Sequence, residues 1–304
     1  MTRSVGYATG TSVQVRKELA ILVTLAALGP ACASNDGAAA DPKSVAVYDV
    51  ARDEYGKGNL REALAKVREA LETDANNADA AYLGAIIHLA FCEKDPASSD
   101  CQFAEAERYA RKALESSPDM RDARNTLGVI LVHEKRYDDA IEVLKPLTED
   151  ILYGSPEKSW GNLGWAYLEK GQVDPAVDAL LRSVAAQPRF CVGNFRLGLA
   201  YEKKGDAKAA RAALTRAIET DARCGRIQEA WEARGRTAMK LGSKEDARAD
   251  FVKCTELGKT TPSGTRCEGQ LRQLGPSDSP RPAEPAPAEP PPAPSGSSSP
   301  APAP

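Results

Sequence analysis

An excess of charge of either sign is missing from this 304-residue chain: 40 Lys and Arg stand against 43 Asp and Glu, a formal net charge of −3. A nucleic-acid partner is therefore not expected, because a polyanion is held by a basic surplus. Histidine is scarce, with His88 and His133 alone, and no C-x-x-C occurs, so no metal site is expected. H-E-x-x-H, G-x-S-x-G, a phosphate-cradling glycine loop and a dinucleotide fingerprint are all absent. Neither an enzyme, a cofactor nor a small-molecule substrate is expected. No apolar run reaches the roughly 18 residues that span a bilayer. Aromatic residues make up only 6% of the chain, and the hydrophobic remainder is rich in Ala and Leu, a composition suited to closely stacked helices.

What is present is a periodic pattern, clearest over residues 157–190. Trp160, Leu163, Gly164 and Tyr167 are followed by Ala176, Leu180 and Pro188, giving W-x2-L-G-x2-Y, A-x3-L and P. This is the tetratricopeptide pattern, a pair of helices repeating about every 34 residues. Gly164 and Ala176 let the first (A) and second (B) helices approach, Gly171 ends the first, and Pro188 stops the second. The small residue recurs at Ala63, Ala106, Ala140, Ala210 and Ala247, and the Leu-Gly pair at Leu83-Gly84, Leu127-Gly128 and Leu197-Gly198. The expected fold is an all-α superhelix of six helix-turn-helix repeats with a capping helix near Ser263 to Leu274, together spanning 44–275. The second repeat carries extra residues around Cys92 to Cys101.

The ends read differently. Arg16 and Lys17, the apolar run Leu19 to Leu28, and Gly29-Pro30-Ala31 before Cys32 form an export signal over 1–31. Cys32 after small residues looks like a bacterial lipobox, which makes Cys32 the acylated anchor. Ala31-Cys32-Ala33 also satisfies ordinary cleavage after Ala33, so both readings stand. Ala33 rather than Asp after the Cys points, by likeness to other lipoproteins, to the outer membrane facing the periplasm. Residues 32–43 are small and polar and read as a tether. Residues 276–304 hold 12 of the 21 prolines and read as a disordered tail, a spacer rather than a recognition segment.

An exported chain with six further cysteines is expected to pair them. The repeat register favours Cys92 with Cys101 across the insertion, Cys254 with Cys267 between the last repeat and the cap, and Cys191 with Cys224 on neighbouring A helices. The inner wall of such a stack is lined by A-helix positions two, five, nine, twelve and thirteen. Here these place Asn125, Val129, Val132, His133, Trp165, Leu168, Phe195 and Leu199 in an apolar, aromatic groove. A groove of that kind is expected to bind an extended or helical apolar segment of another protein. His88 and His133 are read as groove-lining residues rather than a proton shuttle.

The bridge Asp150-Ile151-Leu152-Tyr153-Gly154-Ser155-Pro156, leading into Trp160-Gly161-Asn162-Leu163-Gly164, resembles the "LY-x-x-P" bridge of the PilF/PilW pilotin lipoproteins of type IV pilus biogenesis. Arg124-Asn125-Thr126-Leu127-Gly128 and Arg136-Tyr137-Asp138-Asp139-Ala140 are similar to that family too. The repeat count, paired cysteines and leader look most like its social gliding motility member. The resemblance covers about 32–275, and Gly29 departs from the usual lipobox Leu. It implies an outer-membrane pilotin, anchored through Cys32, that binds secretin subunits and promotes their assembly into the pilus pore. The other reading is a periplasmic repeat adaptor in envelope or cell-wall assembly.

Overall fold

A glycine facing a large side chain recurs in repeat after repeat and sets the geometry of the fold. A Cβ on Gly164 would lie 2.6 Å from Leu180, one on Gly198 2.5 Å from Leu214, and one on Gly235 2.5 Å from Phe251. Each of these large side chains stands on the second helix of its repeat and is wholly buried, so the missing Cβ is what lets the two helices close on each other. In the first repeat the equivalent positions are Ala51 and Val67, both fully buried. There the A-helix residue is larger and its counterpart smaller.

The computed structural model describes residues 40–276, and among them the chain is all helix with no strand. Six pairs follow in order: α1 (Pro42–Gly56) and α2 (Leu60–Thr73), α3 (Ala78–Lys94) and α4 (Phe103–Ser116), α5 (Arg121–His133) and α6 (Tyr137–Glu149), α7 (Pro156–Glu169) and α8 (Val173–Ala186), α9 (Cys191–Lys204) and α10 (Ala207–Glu219), α11 (Gln228–Lys240) and α12 (Lys244–Leu257). A last helix, α13 (Pro262–Leu274), covers the sixth pair. Thr261 caps it by accepting from the Gly264 amide at 3.0 Å, with Pro262 in the first turn, a local helix-start arrangement. The stack begins at Pro42, two residues into the expected tether. The leader at 1–31, Cys32 with the tether up to residue 39, and the tail beyond 276 lie outside the described residues.

The turn inside five of the six pairs uses a left-handed residue; the second pair, joined through its longer insertion, has none. Gly58, Gly171, Gly205 and Gly242 supply it with φ between +79° and +86°. The third repeat uses Lys135 at φ +63°, a conformation that costs an L-residue roughly 1–2 kcal/mol. Each A helix packs on its own B helix and on the A helix of the next repeat, so the A helices form a continuous inner wall.

Gly164→Ala is expected to cost about 1–3 kcal/mol, because Leu180 has no room to move aside. Combining it with Leu180→Val copies the arrangement of the first repeat. The double variant is therefore expected to lose less than the sum of the two single losses, measured by urea denaturation.

The sulfur pairs lie at bonding distance in the combination expected from the register: Cys92 with Cys101, Cys191 with Cys224, and Cys254 with Cys267, with Cα separations of 4.3, 5.5 and 6.3 Å. One detail differs. Cys224 sits in a single 3-10 turn, Cys224–Arg226, ahead of α11, and not on the A helix. Cys191 opens α9, so this pair joins the start of one repeat to the entry of the next.

Candidate partner-binding groove

The inner wall is built from A-helix side chains that the register had selected, but the helices use them unequally. Val132 and Leu168 are only 3% and 2% exposed and serve the packing between repeats. Asn125 is also buried; its side-chain oxygen accepts from Asn162 Nδ2 at 2.9 Å. Asn162 in turn accepts from Arg196 Nη1 at 2.7 Å. A polar ladder therefore crosses α9, α7 and α5, satisfying two buried amides that would otherwise be costly. The register places Val132, Leu168 and Asn125 on the groove surface, whereas the structure uses them to hold the wall together.

The remaining five stay accessible. Val129, Trp165, Phe195 and Leu199 are half-buried and His133 is exposed. They are organised by a run of rings. Phe103, at the start of α4, stacks on His133 at 4.8 Å between centroids, and His133 meets Trp165 edge-on at 5.0 Å. The guanidinium of Arg196 then lies over the Trp165 ring at 4.3 Å, close enough for a cation–π contact. Desolvation between its neighbours, with the Arg196 charge adding to it, pulls the His133 imidazole below its ordinary value, so it is neutral at pH 7.

Two of these contributors escaped the register. Phe103 belongs to a B helix, and Arg196 occupies the position just after Phe195. The available signal was Arg196 itself, an arginine one residue beyond an aromatic groove position.

His88 departs from expectation. It is on α3 as expected but only 4% exposed, stacked on Tyr109 at 5.6 Å, with both ring nitrogens buried and without a hydrogen-bond partner. Burial pulls its imidazole below the usual value. The native state thus resists a proton that the unfolded chain accepts near pH 6.5. Stability is expected to fall as pH drops below about 6.5, until the lowered folded-state value is passed. His88→Leu is expected to remove that part of the slope in urea melts between pH 7 and 5.

Toward the cap the wall turns charged, and the charges are matched. Glu202 accepts from Arg236 Nη2 at 2.9 Å and Lys240 at 3.1 Å. Glu232 accepts from Arg236 at 3.0 Å and from Arg266 twice at 2.7 Å. Between the aromatic run and this network lies a cavity of about 350 Å³ lined by Leu168, Glu169, Leu199, Glu202, Lys203, Arg236 and Lys240. Among the described residues no cluster of three His, Cys, Asp or Glu is placed to hold a metal ion. No described helix is long and apolar enough to cross a membrane.

Paired helices in register and a half-open inner wall define a tetratricopeptide-repeat protein. The tetratricopeptide repeat family matches at residues 101–151, 157–190 and 195–253. In sequence the chain is related to the type IV pilus assembly protein PilF of Pseudomonas aeruginosa, with 34% identity over 160 residues, covering 49% of this chain and 59% of that protein. The chain thus spans about three-fifths of the length of this curated relative. In fold it is similar to PilW, described as a widely conserved type IV pilus biogenesis factor, with a TM-score of 0.63 at 20% identity over 75% of this chain and 99% of PilW. The solved structure of Pseudomonas aeruginosa PilF gives 0.59 at 20% identity, over 75% and 97%. A tetratricopeptide repeat protein from Parabacteroides merdae also gives 0.59, at 16% identity over 77% and 86%.

Proposed function

We propose that this protein is an outer-membrane pilotin lipoprotein of type IV pilus biogenesis. It is tethered through acylated Cys32 and binds secretin subunits until they close into the multimeric pore on which pilus-dependent motility relies. The relationship to PilF points to the pilus, and the leader read at 1–31 points to the envelope. The observation that carries the binding role is the row His133, Trp165, Phe195 and Leu199, left accessible along a wall in which Val132, Leu168 and Asn125 are buried. Apolar side chains on a rigid concave surface suit an apolar segment that has to be shielded until it meets its neighbours. Such a holder needs no chemistry. Several acyl chains on one residue keep it at the membrane where the pore forms, since a single chain gives only marginal attachment.

Removing the protein from its cell is expected to abolish assembled secretin multimers while secretin monomer remains, read by immunoblot of unheated membranes. Multimers at the normal level would overturn this reading. Cys32→Ser is expected to release the protein from the outer-membrane fraction in the same preparation.

A further inference from the structure

Arg196, Leu199 and Lys203 follow one another on α9 at spacings of three and four, so they form one stripe along the helix. At 1.5 Å per residue the stripe is about 10 Å long. The charges around it are satisfied: Glu202 by Arg236 and Lys240, Glu232 by Arg236 and Arg266. The two cations of the stripe have no such partner.

Arg196 donates through Nη1 to the Asn162 side chain at 2.7 Å and the Gly161 carbonyl at 3.3 Å. Lys203 donates to the Leu168 carbonyl at 3.3 Å. Among the described residues, neither forms an ion pair. Glu169 acts on Arg196 only through its field. Burial brings the guanidinium down to about 10, which leaves it charged at neutral pH. A guanidinium carries five N–H donors, and neutral oxygens take only those on one nitrogen here. The cation is therefore half-buried, braced against Trp165 and lacking a counter-charge, in the wall of a groove. Arginine, with Trp and Tyr, is enriched among the hot-spot residues of interfaces.

The geometry points to an acidic amphipathic segment of the partner as the occupant: two carboxylates about 10 Å apart bond Arg196 and Lys203, and an apolar side chain between them rests on Leu199 and Phe195. A helix with acidic residues at i and i+7 and apolar ones at i+3 and i+4 has this spacing. The inference rests on the inner wall being the partner site and specifies what that site selects.

The test uses the full-length protein and two probes, purified secretin subunit and a capped, helix-stabilised peptide with Glu at i and i+7 and Leu at i+3 and i+4. A Gln twin of the peptide is the control. Fluorescence anisotropy is measured against wild type, Lys203→Gln, Arg196→Gln and the double variant. Lys203 is exposed, so its variant keeps the fold, and Arg196→Lys tests whether charge alone restores binding.

The Glu peptide is expected to bind about tenfold tighter than its twin, a preference that each neutralisation lowers severalfold and high salt erases. Secretin affinity is expected to fall about tenfold or more in the double variant. Equal binding of the two peptides, or no change in Lys203→Gln, overturns the inference. Secretin bound at full strength by the double variant does the same while leaving the pilotin reading intact. Cation-dependent peptide binding with no secretin binding by wild type upholds the inference and overturns the secretin reading. Binding of neither probe overturns both.

Discussion

Replacing Trp165 and Phe195 together by alanine is expected to lower affinity for the secretin subunit by at least about a hundredfold while the repeats stay cooperatively folded. Both rings are half-buried, so each offers apolar area to a partner that is lost on truncation. Large aromatics at the centre of an interface commonly contribute 2 kcal/mol or more each. Trp165 also supports its surroundings, since His133 meets its edge and Arg196 lies over its face. Its removal therefore loosens the accessible run as well as deleting part of it. The stability loss is expected to be smaller than for a fully buried Leu such as Leu180, about 2 kcal/mol for each residue, because part of each side chain already faces water in the folded state. Titration calorimetry with secretin and circular dichroism melts separate the two effects. Affinity within threefold of wild type in a folded double variant would assign both rings to packing alone.

The largest single loss of stability near the cap is expected from Glu232→Gln. Glu232 is only 5% exposed and accepts from Arg266 twice at 2.7 Å and from Arg236 at 3.0 Å. Burial would raise its carboxyl, but the hydrogen bond from Arg266, one from Ser263 and the nearby arginine charges outweigh it and hold the group below its ordinary value. The glutamine keeps the volume and loses the charge, so two cations are left facing a neutral group. Hydrogen bonds to charged groups contribute about 1.5–3 kcal/mol. Both arginines retain some contact with water, which limits the loss to about 2–3 kcal/mol. A carboxyl depressed in the folded state contributes stability that is present above its unfolded value and lost as pH falls through the folded one. Wild type is thus expected to lose this contribution below about pH 4.5, and Glu232→Gln to lack that part of the acid slope. Urea midpoints at pH 7 and across pH 3–5 check both statements. The cap would loosen first, because Arg266 is on α13 and links it to α11.

Much of the fold was legible because its signals are local. A turn that needs positive φ favours glycine, so Gly171 marked the end of an A helix before any packing was known, and Gly58, Gly205 and Gly242 hold the same conformation in other repeats. Thr261-Pro262 announced the cap helix in the same way. The cysteine partners followed from register, since residues at matching heights in a regular stack are neighbours. Cys224 was misplaced only by the short turn that precedes α11, a local irregularity with no periodic signature.

The candidate site was half legible. Position in the repeat identifies the side of the helix a residue occupies, and so it found Trp165, Phe195, Leu199, Val129 and His133. It equally selected Val132, Leu168, Asn125 and the neighbouring His88, which the structure buries. The distance between consecutive A helices decides which of these residues is covered. That distance depends on side chains in the neighbouring repeat, such as Asn162 reaching back 37 residues to Asn125.

For this protein the repeat frame, the helix ends and the cysteine partners were thus determined by the order of residues alone, because each depends on backbone conformations or spacings within one or two repeats. Which part of the inner wall remains open, and that Arg196 and Lys203 stand in it without carboxylates, was decided only when separate repeats came together. Burial and charge pairing are properties of neighbours in space, and the contacts that settle them here, such as Asn162 with Asn125 and Arg236 with Glu202, run between repeats.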